Sequence, residues 1–324
     1  MTTLITIDGS RGEGGGQILR SSLAISMISQ RPICVTNIRK GRAKPGLMRQ
    51  HLTAVQAAAR ICNARVTGDS IGSCELTFEP HDVVPGEFHF SIGTAGSTTL
   101  VLQTILPALV IAPGPSTLIL EGGTHNPLAP RVAVELERHG FFPAGGGRFR
   151  VAITPTDRLR PLSLLDRGEI IARRAIALIS HLSSEIARRE LKVLGEKLGW
   201  DESVWQIEEV TNSPGPGNVL FVEIKTPRLT EVFTGFGERG IRAEQVAERL
   251  ARDVRHYLVA DVPVGEYLAD QLLLPLAMSG GGEFVTGPLS RHATTQIELL
   301  KQLLDVSFEV QELRKDARRV CIRG

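Results

Sequence analysis

The first residues whose types and spacing could do chemistry lie in Asp8-Gly-Ser-Arg-Gly-Glu-Gly-Gly-Gly-Gln-Ile-Leu-Arg20. The glycines let the backbone turn tightly and approach a ligand, and an amphipathic run follows (Ile18, Leu19, Leu23, Ile25, Met27, Ile28). A helix beginning there aims its free N–H groups at the loop, and the natural guest is an anion. The two common phosphate fingerprints nevertheless fail. A Walker loop needs Lys-Ser/Thr after its last glycine, where this chain has Gln17-Ile18. The dinucleotide pattern wants a small residue where Gln17 stands. A ligand-free strand-to-helix turn would leave the same pattern.

A second group is Arg39-Lys-Gly-Arg-Ala-Lys-Pro-Gly-Leu-Met-Arg-Gln50, with five basic residues between positions 39 and 49. Such runs are commonly solvated loops. Here proline and glycine stiffen the loop and it opens a helix ending near Cys62, so cations and helix N–H groups point the same way and phosphate is the expected ligand. A third group is Ser290-Arg291-His292, just before the periodic run Ile297, Leu299, Leu300, Leu303. Neutral imidazole at a helix start is a competent nucleophile toward phosphorus. Most histidines are surface or packing residues, and composition and spacing alone do not single this one out.

The elements that must position these groups repeat. Gly93-Thr-Ala-Gly-Ser-Thr-Thr-Leu100 follows an alternating strand (Phe88, Phe90, Ile92) and opens a helix, and Gly265-Glu-Tyr-Leu-Ala-Asp-Gln271 opens another. Both helices carry Gln-x-x-Leu-Pro, with Gln103 before Pro107 and Gln271 before Pro275. The opening stretch reads as a third copy of this strand–helix unit. The interval from Gly93 to Gly265 is about twice that from Gly12 to Gly93, which points to an inserted domain ahead of the third copy. The insert falls near 166–259, with a helical pattern over Ala175–Leu198, a strand at Val219–Lys225 and a charged helix over Ala243–Leu258. Large-domain segments then span 1–165 and 260–324. Nothing in the insert clusters chemically.

Composition excludes several classes. A net charge of +2 is too small for nucleic-acid binding through bulk charge, so any anionic partner must be met by a local patch. The four cysteines (Cys34, Cys62, Cys74, Cys321) show no metal-site spacing, and a reducing cytoplasm is the simpler expectation. The most apolar stretch, Leu100–Ala112, is interrupted by Gln103 and Pro107 and too short to cross a bilayer.

Taken together, six motifs resemble the RNA 3′-terminal phosphate cyclases: the Asp8–Arg20 loop, Ile38-Arg-x-Gly-Arg-Ala-Lys-Pro-Gly-Leu47, Arg49-Gln-His-Leu-Thr-Ala-Val55, Gly122-Gly-Thr-x-Asn-Pro127, His139-Gly-Phe-x-Pro-Ala-Gly-Gly-Gly147 and Gly265-Glu-Tyr-Leu-Ala-Asp-Gln271. The resemblance covers nearly the whole chain. It implies an α+β fold, an α/β sandwich whose large domain has three repeated two-helix, four-strand units similar to the C-terminal domain of translation initiation factor three, with a smaller α/β domain inserted. It also implies a ligase that uses ATP and a divalent metal (Mg²⁺ or Mn²⁺) to turn an RNA 3′-phosphate into a 2′,3′-cyclic phosphate by successive nucleotidyl transfers. In that scheme a histidine, matched by His292, attacks the α-phosphorus and carries AMP. The RNA phosphate then takes the AMP, and the 2′-OH closes the ring as AMP leaves.

By the same resemblance Glu13 is the metal-binding carboxylate. Arg20, Arg39, Arg42 and Gln50 surround the phosphates, and Gln103, Pro130, Tyr267, Leu268, Ala269, Asp270 and Gln271 form the nucleotide site. Tyr267 and Pro130 are expected to flank adenine. Helix packing would equally explain Gln103 and Gln271, and an ordinary amphipathic surface would explain Tyr267. The implied partners are ATP and RNA with a 3′-phosphate end; no membrane is implied, and a homodimer is compatible. Two other functions fit parts of the pattern: a non-catalytic cyclase-like ribosome-assembly factor, which lacks the histidine, and an enolpyruvyl-transferase-like enzyme acting on a phosphorylated small molecule. The chain departs from the family after Pro130. It runs straight into Arg131-Val-Ala-Val-Glu135 where the family continues through an amphipathic helix, so unit two lacks a helix that units one and three have. Losing a core-facing helix uncovers apolar surface at about 25 cal/mol per Å².

Overall fold

Alternating buried side chains set the strands, and helices cover one face of each sheet. The computed structural model describes residues 3–124 and 132–324. In the first unit β1 (Ile5–Asp8) leads through the glycine loop into α1 (Gly16–Ser29). Then come β2 (Ile33–Thr36), α2 (Arg49–Cys62), β3 (Arg65–Thr67) and β4 (Leu76–Glu79). Ile33 and Val35 of β2 and Leu76 and Phe78 of β4 point to one buried face, the period-two pattern of a half-covered sheet. The order is β1-β2-β4-β3, with β1 and β2 parallel and the other pairs antiparallel.

The second unit has β5 (Glu87–Ser91), α3 (Thr98–Val110), β6 (Ser116–Gly122), β7 (Val132–Arg138) and β8 (Gly147–Ile153). Its order, β5-β6-β8-β7, repeats the first sheet's pattern of one parallel and two antiparallel pairs. Among the described residues only α3 packs on it as a helix of its own unit. β7 carries exposed apolar side chains. Val134 and Leu136 stand in register with buried Val151 and Phe149 of β8, yet are 49% and 40% exposed.

After β9 (Leu162–Leu164) the chain forms β10 (Ala172–Ser180), α4 (Ser184–Leu198), β11 (Trp205–Glu209), β12 (Gly217–Lys225), β13 (Thr230–Phe236) and α5 (Ala243–Ala260). It finishes with α6 (Glu266–Met278), β14 (Gly281–Thr286), α7 (Arg291–Leu303), β15 (Ser307–Arg314) and β16 (Ala317–Arg323). The sheet β11-β10-β12-β13 has its own core, with Ala177, Leu191, Leu220, Leu250 and Val254. The last sheet, β9-β14-β16-β15, takes its parallel edge strand from β9, so a strand ahead of β10 completes a sheet otherwise built after α5. The helical pattern expected over Ala175–Leu198 is corrected at its start. Ala175–Ser180 belong to β10, a central strand paired with β11 and β12 and buried along that run. A continuous apolar run carries no period, and its partners decide.

One large core joins the other three sheets, with Leu19, Phe78, Ile105, Leu118, Phe284 and Leu300 among its members. At its centre α1 packs against α2, α3 and α7 and is buried on nearly every side from Ile18 to Met27. No helix among the described residues is long and apolar enough to cross a membrane.

The separate β10–α5 core holds a titratable pair. Asn218 Nδ2 donates to Glu190 Oε1 at 2.6 Å, while Glu190 Oε2 and Asn218 Oδ1 are buried without partners among the described residues. Burial pushes the Glu190 carboxyl up to about 7, against the Asn218 hydrogen bond that lowers it. Folding therefore favours the protonated form. The stabilisation is complete below the ordinary carboxylate range and is lost as pH rises through about 7. Glu190→Gln keeps an acceptor for Asn218 in a group that is neutral at every pH. Thermal melts from pH 5 to 8 should show the variant more stable than wild type at pH 8, by about 1–3 kcal/mol, with the difference closing near pH 5.

Candidate active site

The glycine loop between β1 and α1 closes on the first turn of α7. Gly12 and Gly14 take positive φ (56° and 63°), and the N–H of Glu13 donates to Thr295 Oγ1 at 3.0 Å. A side chain on Gly12 would collide with the Thr295 hydroxyl. Two further contacts lock α1 to α7. The Ser21 hydroxyl donates to Gln296 Oε1 at 2.6 Å, and His292 Nδ1 lies 2.6 Å from Gln17 Oε1. Gln17 Nε2 in turn reaches Asp270 Oδ2 of α6 at 3.5 Å. Ser290 caps α7 by accepting from the Ala293 N–H at 3.1 Å, which sets His292 in the first turn of the helix rather than before it.

Glu13 pairs with Arg42 through Oε1, while its Oε2 is buried without a partner among the described residues. Arg20 is also short of partners: its Nε is buried and unbonded, and burial lowers its guanidinium to about 10 although Asp270 opposes the shift. Asp270 is raised to about 6 by burial, partly offset by His292 and Arg20. His51, in the first turn of α2, accepts the Met48 N–H on Nδ1 at 3.3 Å and stands with Arg20 over Gly16, where a Cβ would strike both. Burial, then Arg39 and Arg20, hold His51 down to about 4, so it stays neutral. Arg39 donates to the carbonyls of Lys44 and Gly46 at 2.8 Å each, bracing the basic loop, and burial lowers its guanidinium too. Gln50 Oε1 accepts the Ser97 N–H at 3.2 Å, tying the start of α2 to the start of α3.

The structure thus links Glu13, Arg42, Arg20, Asp270 and His292 directly or through Gln17 and Thr295, with Arg39 and Gln50 joined through α2. The remaining expected nucleotide residues are spread more widely. Gln103 and Gln271 are exposed on α3 and α6, so core packing does not account for either. Tyr267 is 61% exposed at the start of α6, its hydroxyl pushed up by burial and by Asp253 and Glu266. Leu268 and Ala269 turn into the main core. Pro130 lies outside the described residues. Sequence reasoning missed Gln17, His51, Thr295 and Ser97 as site residues. Gln17 alone left a signal, as the bulky residue that breaks the dinucleotide pattern.

The site has no group of three His, Cys, Asp or Glu side chains among the described residues placed to hold a metal ion. It does offer one free carboxylate oxygen on Glu13 beside cationic groups. That donor set suits a hard divalent cation that brings phosphate and water as its other ligands. Converging helix starts, a buried Arg20 with an unbonded Nε and an exposed His292 imidazole are groups of the kind that hold phosphate esters.

Comparison with known proteins agrees. A profile described as RNA 3′-terminal phosphate cyclase matches residues 11–135 and 128–310. A protein of Koribacter versatilis (strain Ellin345) with that name is 47% identical over 333 residues, covering 97% of this chain and 94% of its own. Proteins of the same name from Salmonella paratyphi C (strain RKS4594) and Ectopseudomonas mendocina (strain ymp) are 43% and 44% identical, covering 97% and 98% of this chain and 96% and 98% of theirs. The chain belongs to the RNA 3′-terminal phosphate cyclase family.

The loop-to-α7 closure is testable without a ligand. Gly12→Ala forces a side chain into a left-handed backbone and against Thr295, and should destabilise the protein by about 1–3 kcal/mol. Gly41→Ala, at a position with open space, should be near neutral; thermal unfolding of both variants checks the contrast.

Proposed function

We propose that the protein is an ATP-consuming ligase that converts an RNA 3′-terminal phosphate to a 2′,3′-cyclic phosphate through a covalent histidine–AMP on His292. The observation that carries this reading is His292 Nδ1 held on Gln17 Oε1, which leaves Nε2 facing away from its anchor on a helix whose Thr295 also catches the Glu13 loop. Family membership and the shared name of the relatives support the reaction class.

In this reading Arg20, Arg39 and Arg42 offset charge that develops on phosphoryl oxygens, and the N–H groups at the start of α1, which no side chain caps, receive them. Glu13 Oε2 would hold a divalent cation, which when bound neutralises phosphate charge. Gln103, Tyr267 and Gln271 present exposed faces to the nucleotide, whereas Leu268 and Ala269 contribute backbone. His292 attacks the α-phosphorus, the RNA phosphate displaces it, and the final ring closure is intramolecular, so orientation supplies much of the rate. Three units similar to the C-terminal domain of translation initiation factor three, with 166–259 inserted, form the scaffold; the recurring strand order of three sheets supports that plan.

The decisive experiment uses ATP labelled at the α-phosphate with Mg²⁺ or Mn²⁺. Wild type should acquire acid-labile label and His292→Ala none. Absence of label on wild type would favour a non-catalytic role or small-molecule transfer, and label undiminished in His292→Ala would move the nucleophile elsewhere.

A further inference from the structure

We propose that Gln17 is the positioning residue of the nucleophile: it holds His292 in the Nδ1–H tautomer and, as an amide, refuses that proton throughout the cycle. This rests on the reaction proposed above. The geometry has two parts. A carbonyl oxygen only accepts, so the 2.6 Å contact between Gln17 Oε1 and His292 Nδ1 requires the proton on Nδ1 and, in the neutral ring, leaves the lone pair on Nε2. The amide cannot simply turn over. Its other end donates to Asp270 Oδ2 at 3.5 Å, and an ionised carboxylate, the form Asp270 takes above about pH 6, offers no donor in return. Gln17 projects from the first turn of α1, a helix clamped to α7 by the Ser21–Gln296 bond, so the two anchors move as one.

The choice of an amide has a chemical consequence. When Nε2 attacks, the Nε2–P bond forms, the P–O bond to pyrophosphate breaks, and the ring becomes a cation that still carries its Nδ1 proton. If a neighbouring base removed that proton, the adduct would become a neutral phosphoramidate and a poorer leaving group. Gln17 has no capacity to take it. When the RNA phosphate oxygen attacks, the P–Nε2 bond breaks, its electron pair returns to Nε2, and the neutral Nδ1–H ring is restored with no proton moved. A carboxylate at position 17 would share the Nδ1 proton and stabilise the adduct. The Asp270-Gln17-His292 chain therefore keeps the orienting carboxylate one amide away from the ring.

Two measurements test this, one of them independent of the reaction. In ¹⁵N-histidine NMR, neutral His292 of wild type should be protonated at Nδ1, and Gln17→Ala should shift it toward the Nε2–H form that free imidazole side chains prefer. An Nε2–H ring in wild type overturns the proposal even if no nucleotide chemistry is found. With α-labelled ATP, Gln17→Glu should still take up label but discharge it to an RNA 3′-phosphate on the order of tenfold more slowly per labelled molecule. Gln17→Ala should take up label more slowly yet discharge it normally. Equal losses in both steps for both variants, tracking a lowered melting temperature, would show that Gln17 only packs the helix and overturn the proposal. Failure of wild type to label, with the Nδ1–H tautomer present, would count against the reaction and not against the positioning.

Discussion

The site depends on one constraint: α1 begins without a side-chain cap in the middle of the main core. Its N-cap residue is Gly15, which offers no hydroxyl or carboxylate to the first-turn N–H groups, whereas Ser97 and Ser290 do so for α3 and α7. A helix this deeply buried cannot drift to expose that end, because α2, α3 and α7 pack around it. The remaining elements deliver chemistry to its open start. From α2 comes His51, α6 supplies Asp270, and α7 brings His292 and the threonine that catches the glycine loop.

Electrostatically the pocket is left under-satisfied. Arg20 is held below its usual range by burial, His51 is kept neutral, and Glu13 has one oxygen free. Cations stripped of water but not given full partners make a strong field for an incoming anion, and it costs nothing to reorganise when that anion arrives. Asp270 tempers this field without cancelling it, since its own carboxyl is pushed up by the same burial.

Much of this was legible in the chain. The glycine loop, the basic loop and the helix start at His292 are local signals, and the shared Gln-x-x-Leu-Pro marked two helices as kin. What escaped was everything that depends on contact between distant segments. Thr295 looks like any helical threonine until the loop at Glu13 folds onto it, and His51 looks like part of a basic stretch until Gly16 and Arg20 enclose it. Ala175–Ser180 carried an apolar run with no period of its own, so only pairing with β11 and β12 made it a strand. On β7, Val134 and Leu136 are exposed apolar side chains on a strand whose partners Val151 and Phe149 are buried.

The pairing of β9 with β14 sets the order in which the molecule can assemble. Their partners, Leu162–Leu164 and Gly282–Phe284, are separated by all of β10 to α6. Closing so long an unstructured loop is slow, because its entropy is lost before any contact rewards it. Once β10–α5 has collapsed around its own core, its two ends are held in place and the search shortens. The sheet that supports α7 is thus finished last, and a chain emerging from its N-terminus displays the glycine loop well before α7 brings Thr295 and His292 to it. Under the reaction proposed above, an incompletely folded molecule would present the loop and transfer nothing.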